Sequence, residues 1–338
     1  EFRRVLFRSM TAKPVILDTD FTTDGGDLGA TALTLAAHKL GWVELRGIVC
    51  STSCTTAPGA INAAATHWGV SGLSYGAWKG TSIDASEAAS SDWVRYLYNN
   101  YSHPDVGLAS ATTDATTVYR TLLAAASAAS VDIVCIGYTG NLSTLLDSAA
   151  DGVSGLTGTQ LVSAKVRKLW VMGGNYDTGA AEWNFCGGGS GGSSAFRTFT
   201  SNVLTNWPTP IIFSGFELGT YVVGDTLTGK TAGNLMREGY AQAGLSAGGT
   251  AWDETVVLAC IQEAADFALV RGTNSINTTT GVTTFTPSSN GTHYHLTKAV
   301  SDAWLKARIN VLIAADVTAS PLISSWGSAP ALIRIGAA

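Results

Sequence analysis

Short runs of branched apolar residues recur along the chain, each followed by a longer stretch in which apolar positions return with helical spacing. Pro14 to Leu17 leads into a helical pattern from Leu28 to Leu40, Val43 to Val49 into Ala57 to Trp68, and Val131 to Gly137 into Asn141 to Ser148. Leu169 to Met172 leads into Ser194 to Val203, and Ile211 to Ser214, after a polar segment, into Asp253 to Leu269. Pro14 to Leu17 is short and rich in branched apolar residues, as a buried parallel strand should be. This rhythm predicts an α/β fold: a mostly parallel open sheet with helices on both faces. Near residues 270–295 the chain turns rich in Thr, Asn and Gly, which reads as an insertion or hairpin over the surface because a helical pattern resumes from Leu296 to Ala314. Gly187, Gly189 and Gly192 match G-x-G-x-x-G, but no strand leads into them and no phosphate-gripping Lys follows, so they read as a flexible loop.

Composition narrows the picture. With 338 residues, 46% hydrophobic against 13% charged, the chain can bury a large core, and residues 11–338 read as one domain. Residues 1–9, Glu-Phe-Arg-Arg-Val-Leu-Phe-Arg-Ser, read like vector or adapter translation ahead of Met10. A net charge of −5 without a long Lys/Arg run gives no footprint for a nucleic-acid polymer or an anionic membrane, which leaves a small molecule as the expected partner. No apolar run has transmembrane length and the start lacks the apolar core of a secretory signal. Five cysteines, an odd number set mostly in apolar stretches, argue against a disulfide framework and for a cytoplasmic setting, where a homo-oligomer is an open option.

The chemistry begins where the first strand ends. Val15-Ile16-Leu17-Asp18-Thr19-Asp20-Phe21-Thr22-Thr23-Asp24-Gly25-Gly26-Asp27 sets four carboxylates within ten residues. Gathered at a strand end, such a cluster is self-repelling and implies a hard cation, calcium or magnesium, bound through oxygen. The alternative is that Asp18 and Asp20 cap turns while Asp27 caps the helix. Three further signals share the strand-end character: Ile136 to Leu142, Val171 to Asn175, and Trp252-Asp253.

Taken in order, Asp18-Thr19-Asp20 with Asp27, Gly137 to Leu142, Met172-Gly173-Gly174, Glu182-Trp183-Asn184-Phe185, Ser214 to Gly219 and Trp252-Asp253 resemble the inosine-uridine nucleoside hydrolase family over most of Lys13 to Ala314. The resemblance implies metal-dependent hydrolysis of the N-glycosidic bond of a ribonucleoside or related N-riboside. It implies Asp20 as general base and metal ligand, Asp27 and Asp253 as further ligands of a calcium ion, and the Gly140 carbonyl as completing the protein shell. Glu182 and Asn184 match the ribose-gripping acid and amide, and Met172 falls in the same substrate-binding set. The reaction passes through an oxocarbenium-like sugar, so negative charge, a positioned water and hydroxyl-gripping groups are what its chemistry demands.

The departures from the family pattern all touch this site. Where the family carries two adjacent Asp residues, the first is Gly26 here, leaving Asp24, two residues upstream, to substitute from another direction. Where an Asn contacts the sugar, Cys54 stands, and thiol is a poor hydrogen bonder and a poor calcium ligand. Where some members have a His as acid to the leaving base, Trp252 stands; it and Trp183 either stack on a base or pack in the core. His293 and His295 lie within reach of the mouth if the insertion folds over it. The competing expectations are a non-catalytic nucleoside- or sugar-binding protein that retains the fold, and a structural protein.

Overall fold

A computed structural model describes residues 12–22, 24–80, 92–188 and 192–315, so the segment 1–9 read as vector-derived, and Gly189 of the glycine motif, lie outside the described residues. The strands are β1 (Lys13–Thr19), β2 (Val43–Cys50), β3 (Ser74–Ala77), β4 (Val131–Cys135), β5 (Val166–Met172), β6 (Ile211–Ser214), β7 (Val222–Val223), β8 (Gly249–Thr250), β9 (Phe267–Ile276), β10 (Thr283–Pro287) and β11 (His293–Lys298). Nine of them form one sheet in the order β10-β9-β11-β6-β5-β4-β1-β2-β3, and β7 and β8 pair separately. From β3 through β11 every neighbouring pair is parallel, and only β9 and β10 run against their neighbours.

Buried parallel strands must feed both faces, and the alternation is visible residue by residue. Val15 and Leu17 join one core while Ile16 joins the other; Val134 and Ile136, Trp170 and Met172 likewise oppose Ile133 and Cys135, Leu169 and Val171. The first core is covered by α1 (Gly26–Lys39), α2 (Ala57–His67), α3 (Asp92–Asn100), α9 (Leu235–Gln242), α10 (Trp252–Ile261) and α11 (Asp302–Ile313). The second is covered by α4 (Ala115–Ala125), α5 (Gly140–Asp147), α6 (Gly158–Lys165), α7 (Trp183–Cys186) and α8 (Ser194–Asn206). The expected α/β architecture, mostly parallel and open with helices on both faces, is therefore the observed one. All five cysteines are buried and none forms a disulfide.

Two boundaries differ from the sequence reading. The helix expected from Asp253 to Leu269 stops at Ile261, because Glu263 and Ala264 adopt left-handed backbone (φ 53° and 59°) and redirect the chain into β9. The helical pattern expected from Leu296 begins only at Asp302, capped by the Ser301 hydroxyl, since Leu296 lies in β11. The Thr/Asn/Gly-rich segment is a hairpin, β9–β10, that widens the main sheet through β11.

The strand order β3-β2-β1-β4-β5-β6 reverses direction between β1 and β4, and open α/β sheets bind ligands beyond the carboxyl ends of their strands at such a reversal. The acidic loop leaves β1 there. At the opposite edge Lys13 and Arg167 pair with the buried Asp132 and with Glu263, to which Lys168 also bonds, fixing the far ends of β1, β4 and β5.

Candidate active site

Asp18, at the end of β1, braces the site from below. It is fully buried and accepts from the Tyr119 hydroxyl (2.8 Å) and the Asn141 amide (3.1 Å), while the same amide reaches the Cys50 carbonyl (3.2 Å). Three strand ends are thereby tied together. Two residues on, Asp20 lies against the β4 loop so closely that a Cβ on Gly137 would collide with the Asp20 backbone nitrogen. Glycine is required there by proximity.

The loop then delivers Asp24 and Asp27. Asp24 accepts the Gly26 N–H (2.7 Å), and Asp27, in the first turn of α1, accepts the Thr19 hydroxyl and shares a hydrogen bond with Asp20. Asp253 comes from the first turn of α10. Neither Asp27 nor Asp253 caps its helix, since the cap positions are Gly25 and Ala251 without a side-chain bond. Both carboxylates instead face the same point at two helix N-termini, where the helix dipole favours negative charge. Ligand atoms of Asp24, Asp27 and Asp253 all lie within 4.8 Å of one another.

Gly26 explains why Asp24 can enter. A Cβ at Gly26 would lie 2.9 Å from the Asp24 Oδ1 and 3.0 Å from the Asp253 Oδ2. The space that a side chain at position 26 would take is thus occupied by the upstream carboxylate.

On the β5 side, Glu182 is buried and caps α7, accepting from the backbone N–H groups of Gly174 (3.1 Å), Asn184 (2.9 Å) and Phe185 (3.1 Å). The Trp183 N–H adds to this set, so the carboxylate is held almost entirely by backbone donors. Asn184 sends its amide to the carbonyls of Ile136 and Met172 and to the Met172 sulfur, all at 3.2 Å, which ties β4 to β5. Trp183 is 42% exposed and donates to the buried Tyr138 hydroxyl (2.9 Å). Trp252 stacks on Phe216 (4.9 Å, 29°), and its indole N–H is spent on the Phe216 carbonyl (2.9 Å).

The remaining expected residues have the following neighbours. Cys54 is completely buried in the core under α2, its thiol 3.8 Å from the Thr56 hydroxyl, and offers a ligand nothing; the apolar packing of α2 draws it inward. Gly140 opens α5 against Trp78. His293 is buried and accepts the Asn274 N–H (2.9 Å), while His295 lines a groove of about 710 Å³ with Tyr176, Asp177, Glu217, Phe285 and Lys298. Tyr119 carries no local sequence signal that would mark it as a partner of the site, whereas Tyr138 and Phe216 lie within motifs already singled out, though neither was named for a role.

Burial sets the electrostatics. It raises Glu182 to about 7 against its backbone hydrogen bonds, Asp18 to about 7 and Glu254 to about 8. Asp27 and Asp253 rise well above the carboxylate range, from burial first and then from repulsion by neighbouring carboxylates. A carboxyl whose pKa rises on folding stabilises the fold below its unfolded value, and that contribution is lost as pH climbs through the folded value. Asp24 and Glu217 are raised by burial as well; His293 and His295, lowered by burial, act in the opposite sense, but the raised carboxyls outnumber them. Chelator-treated protein is therefore expected to lose thermal stability from pH 5 to pH 8, and an excess of calcium to restore it. A melting temperature that climbs over that range without calcium would contradict the arrangement.

The donor set fits a hard divalent cation. All the candidate ligands are oxygens, and the strongest neighbouring charges on Asp27 and Asp253 are themselves negative, a setting that a hard divalent cation would neutralise.

No family model matches the chain, and no curated protein matches it in sequence. Solved structures do match. The inosine-uridine preferring nucleoside hydrolase from Bacillus anthracis superposes with a TM-score of 0.64 at 14% identity, over 89% of this chain and 99% of that one. The purine-preferring ribonucleoside hydrolase from Gardnerella vaginalis gives 0.59 at 14% identity, over 89% and 99%. The type III effector protein XopQ, solved in complex with adenosine diphosphate ribose, gives 0.65 at 14% identity, over 90% and 94%. At such identities the likeness lies in the path of the backbone, and that path, with its acidic loop at the reversal of strand order, gives this chain the nucleoside-hydrolase fold.

Proposed function

We propose that the protein hydrolyses the N-glycosidic bond of a ribonucleoside or related N-riboside with a calcium ion held by Asp20, Asp24, Asp27 and Asp253. The observation that carries this reading is the convergence of acidic side chains from the β1 loop, α1 and α10 at the point where ligands bind in open α/β sheets. When bound, the ion supplies the charge that grips vicinal sugar hydroxyls and lowers the pKa of a water. Asp20 takes the proton of the attacking water. Glu182 and Asn184 orient the ribose. The stacked pair Trp252 and Phe216 presents an apolar face beside Asp253 on which the base lies. The Trp252 indole cannot donate a titrating proton, so the base leaves on its own basicity.

The test is release of free base from a panel of purine and pyrimidine nucleosides, with calcium and after chelation. Calorimetry on stripped protein adds the site itself: calcium binding is expected in the parent and absent in Asp253→Ala. No release from any nucleoside by calcium-loaded protein sinks the catalytic reading. The lack of an imidazole at position 252 favours one alternative, a binding protein for N-ribosides, and adenosine diphosphate ribose belongs in the same calorimetric panel.

A further inference from the structure

The β9–β10 hairpin touches the segment that carries Glu182 and Asn184 at both of its ends. At the start, the Thr283 hydroxyl accepts the Asn175 N–H (3.2 Å), and the Asn274 amide donates to the Tyr176 hydroxyl (2.8 Å). That hydroxyl donates onward to the Gly173 carbonyl (3.2 Å), and the next residue, Gly174, gives its N–H to Glu182. Asn274 is itself held by its own N–H on the buried His293 ring (2.9 Å). The Tyr176 ring packs edge-on to Phe285 of β10 (5.9 Å).

At the far end the hairpin tip meets the last residue of α7. The Cys186 thiol donates to the Gly281 carbonyl (3.6 Å), and Arg197 of α8 donates to the Thr278 carbonyl (2.7 Å). A Cβ at Gly281, where φ is +80°, would lie 2.5 Å from the Cys186 sulfur and 3.0 Å from the Ala181 Cβ, so a larger residue forces the tip away.

We infer that the hairpin is a positioning arm for the Glu182 and Asn184 segment, with Tyr176 and Asn274 as the positioning residues that set the Glu182 carboxylate and Gly281 as the close contact that seats the tip. A buried acid held by backbone N–H groups is only as well placed as those groups, and their placement is fixed from outside the segment by a polar chain from His293 to Gly173. The role assigned to Glu182 rests on the N-riboside reading; the mechanical claim does not.

The experiment uses the full chain and three variants: Tyr176→Phe, Gly281→Ala and Thr283→Ser. Hydrogen exchange of the Gly174, Asn184 and Phe185 amides, all bonded to Glu182, is expected to quicken about tenfold or more in the first two while the β1 and β4 amides are unchanged, and to stay near the parent rate in the serine variant, which keeps the hydroxyl. In parallel, KM for a hydrolysed nucleoside is expected to rise about tenfold in Tyr176→Phe with a smaller change in kcat, the mark of a loosened ground-state grip. Unchanged exchange at those three amides in folded Tyr176→Phe and Gly281→Ala overturns the arm. Faster exchange confined to them in a parent that hydrolyses nothing upholds the arm and removes the catalytic reading instead.

Discussion

Asp20→Asn is expected to lower base release by about two to four orders of magnitude, the usual contribution of a positioned general base. The substitution keeps the size and shape of a side chain that is 5% exposed and whose backbone is wedged against Gly137, so the fold and melting curve are expected to survive. The shared hydrogen bond with Asp27 is also retained in form, since an amide still donates and accepts. Calcium affinity, measured separately by calorimetry, tells whether any loss beyond that range comes from the ion. Turnover equal to the parent, in a variant with an unaltered melting curve, removes Asp20 from the role of base.

The second large effect is expected at Gly26→Asp. In a nucleoside-hydrolase frame with two adjacent acids this change looks like a repair, yet the geometry makes it a lesion. The new Cβ would stand 2.9 Å from the Asp24 Oδ1 and 3.0 Å from the Asp253 Oδ2, and the new carboxylate would enter a space that already holds one. The new side chain would push the Asp24 and Asp253 carboxylates off the point they share, and an ion held by fixed oxygens loses affinity when those oxygens move, so calcium binding is expected to weaken by about tenfold or more. Removing the occupant, in Asp24→Ala with Gly26→Asp, is expected to recover most of that affinity. Tighter calcium binding by the single Gly26→Asp variant would show that Asp24 does not fill the position.

The sheet was legible because its strands are short and rich in branched apolar residues, as at Val15 to Leu17 and Ile133 to Cys135, and because apolar positions return with helical spacing after most of them. The end of α10 was not. Its reversal rests on left-handed backbone at Glu263 and Ala264, and neither residue type announces such a turn as Gly or Asn does. The acidic cluster was readable because Asp18, Asp20, Asp24 and Asp27 are close in sequence. The Tyr119 brace on Asp18, the Phe216 partner of Trp252 and the hairpin's hold on Tyr176 join residues far apart in sequence, and only the folded chain brings them together. The same limit applied to Cys54: aligned with a sugar-contacting position, its side chain is turned into the core by the helix that follows.

The burial of all five thiols gives the chain a built-in clock. A maleimide or disulfide reagent needs an accessible thiolate, and burial pushes the thiol pKa of Cys50, Cys135 and Cys260 up in the folded state, so the intact protein is nearly silent to labelling. Cys50 and Cys135 close β2 and β4, are buried, and are expected to react only when those strands open, whereas Cys186 lies under the hairpin tip at Gly281 and is expected to react when that tip alone lifts. Labelling rates at the two depths, read by mass on one sample with no engineered probe, therefore separate the breathing of the arm from the unfolding of the sheet.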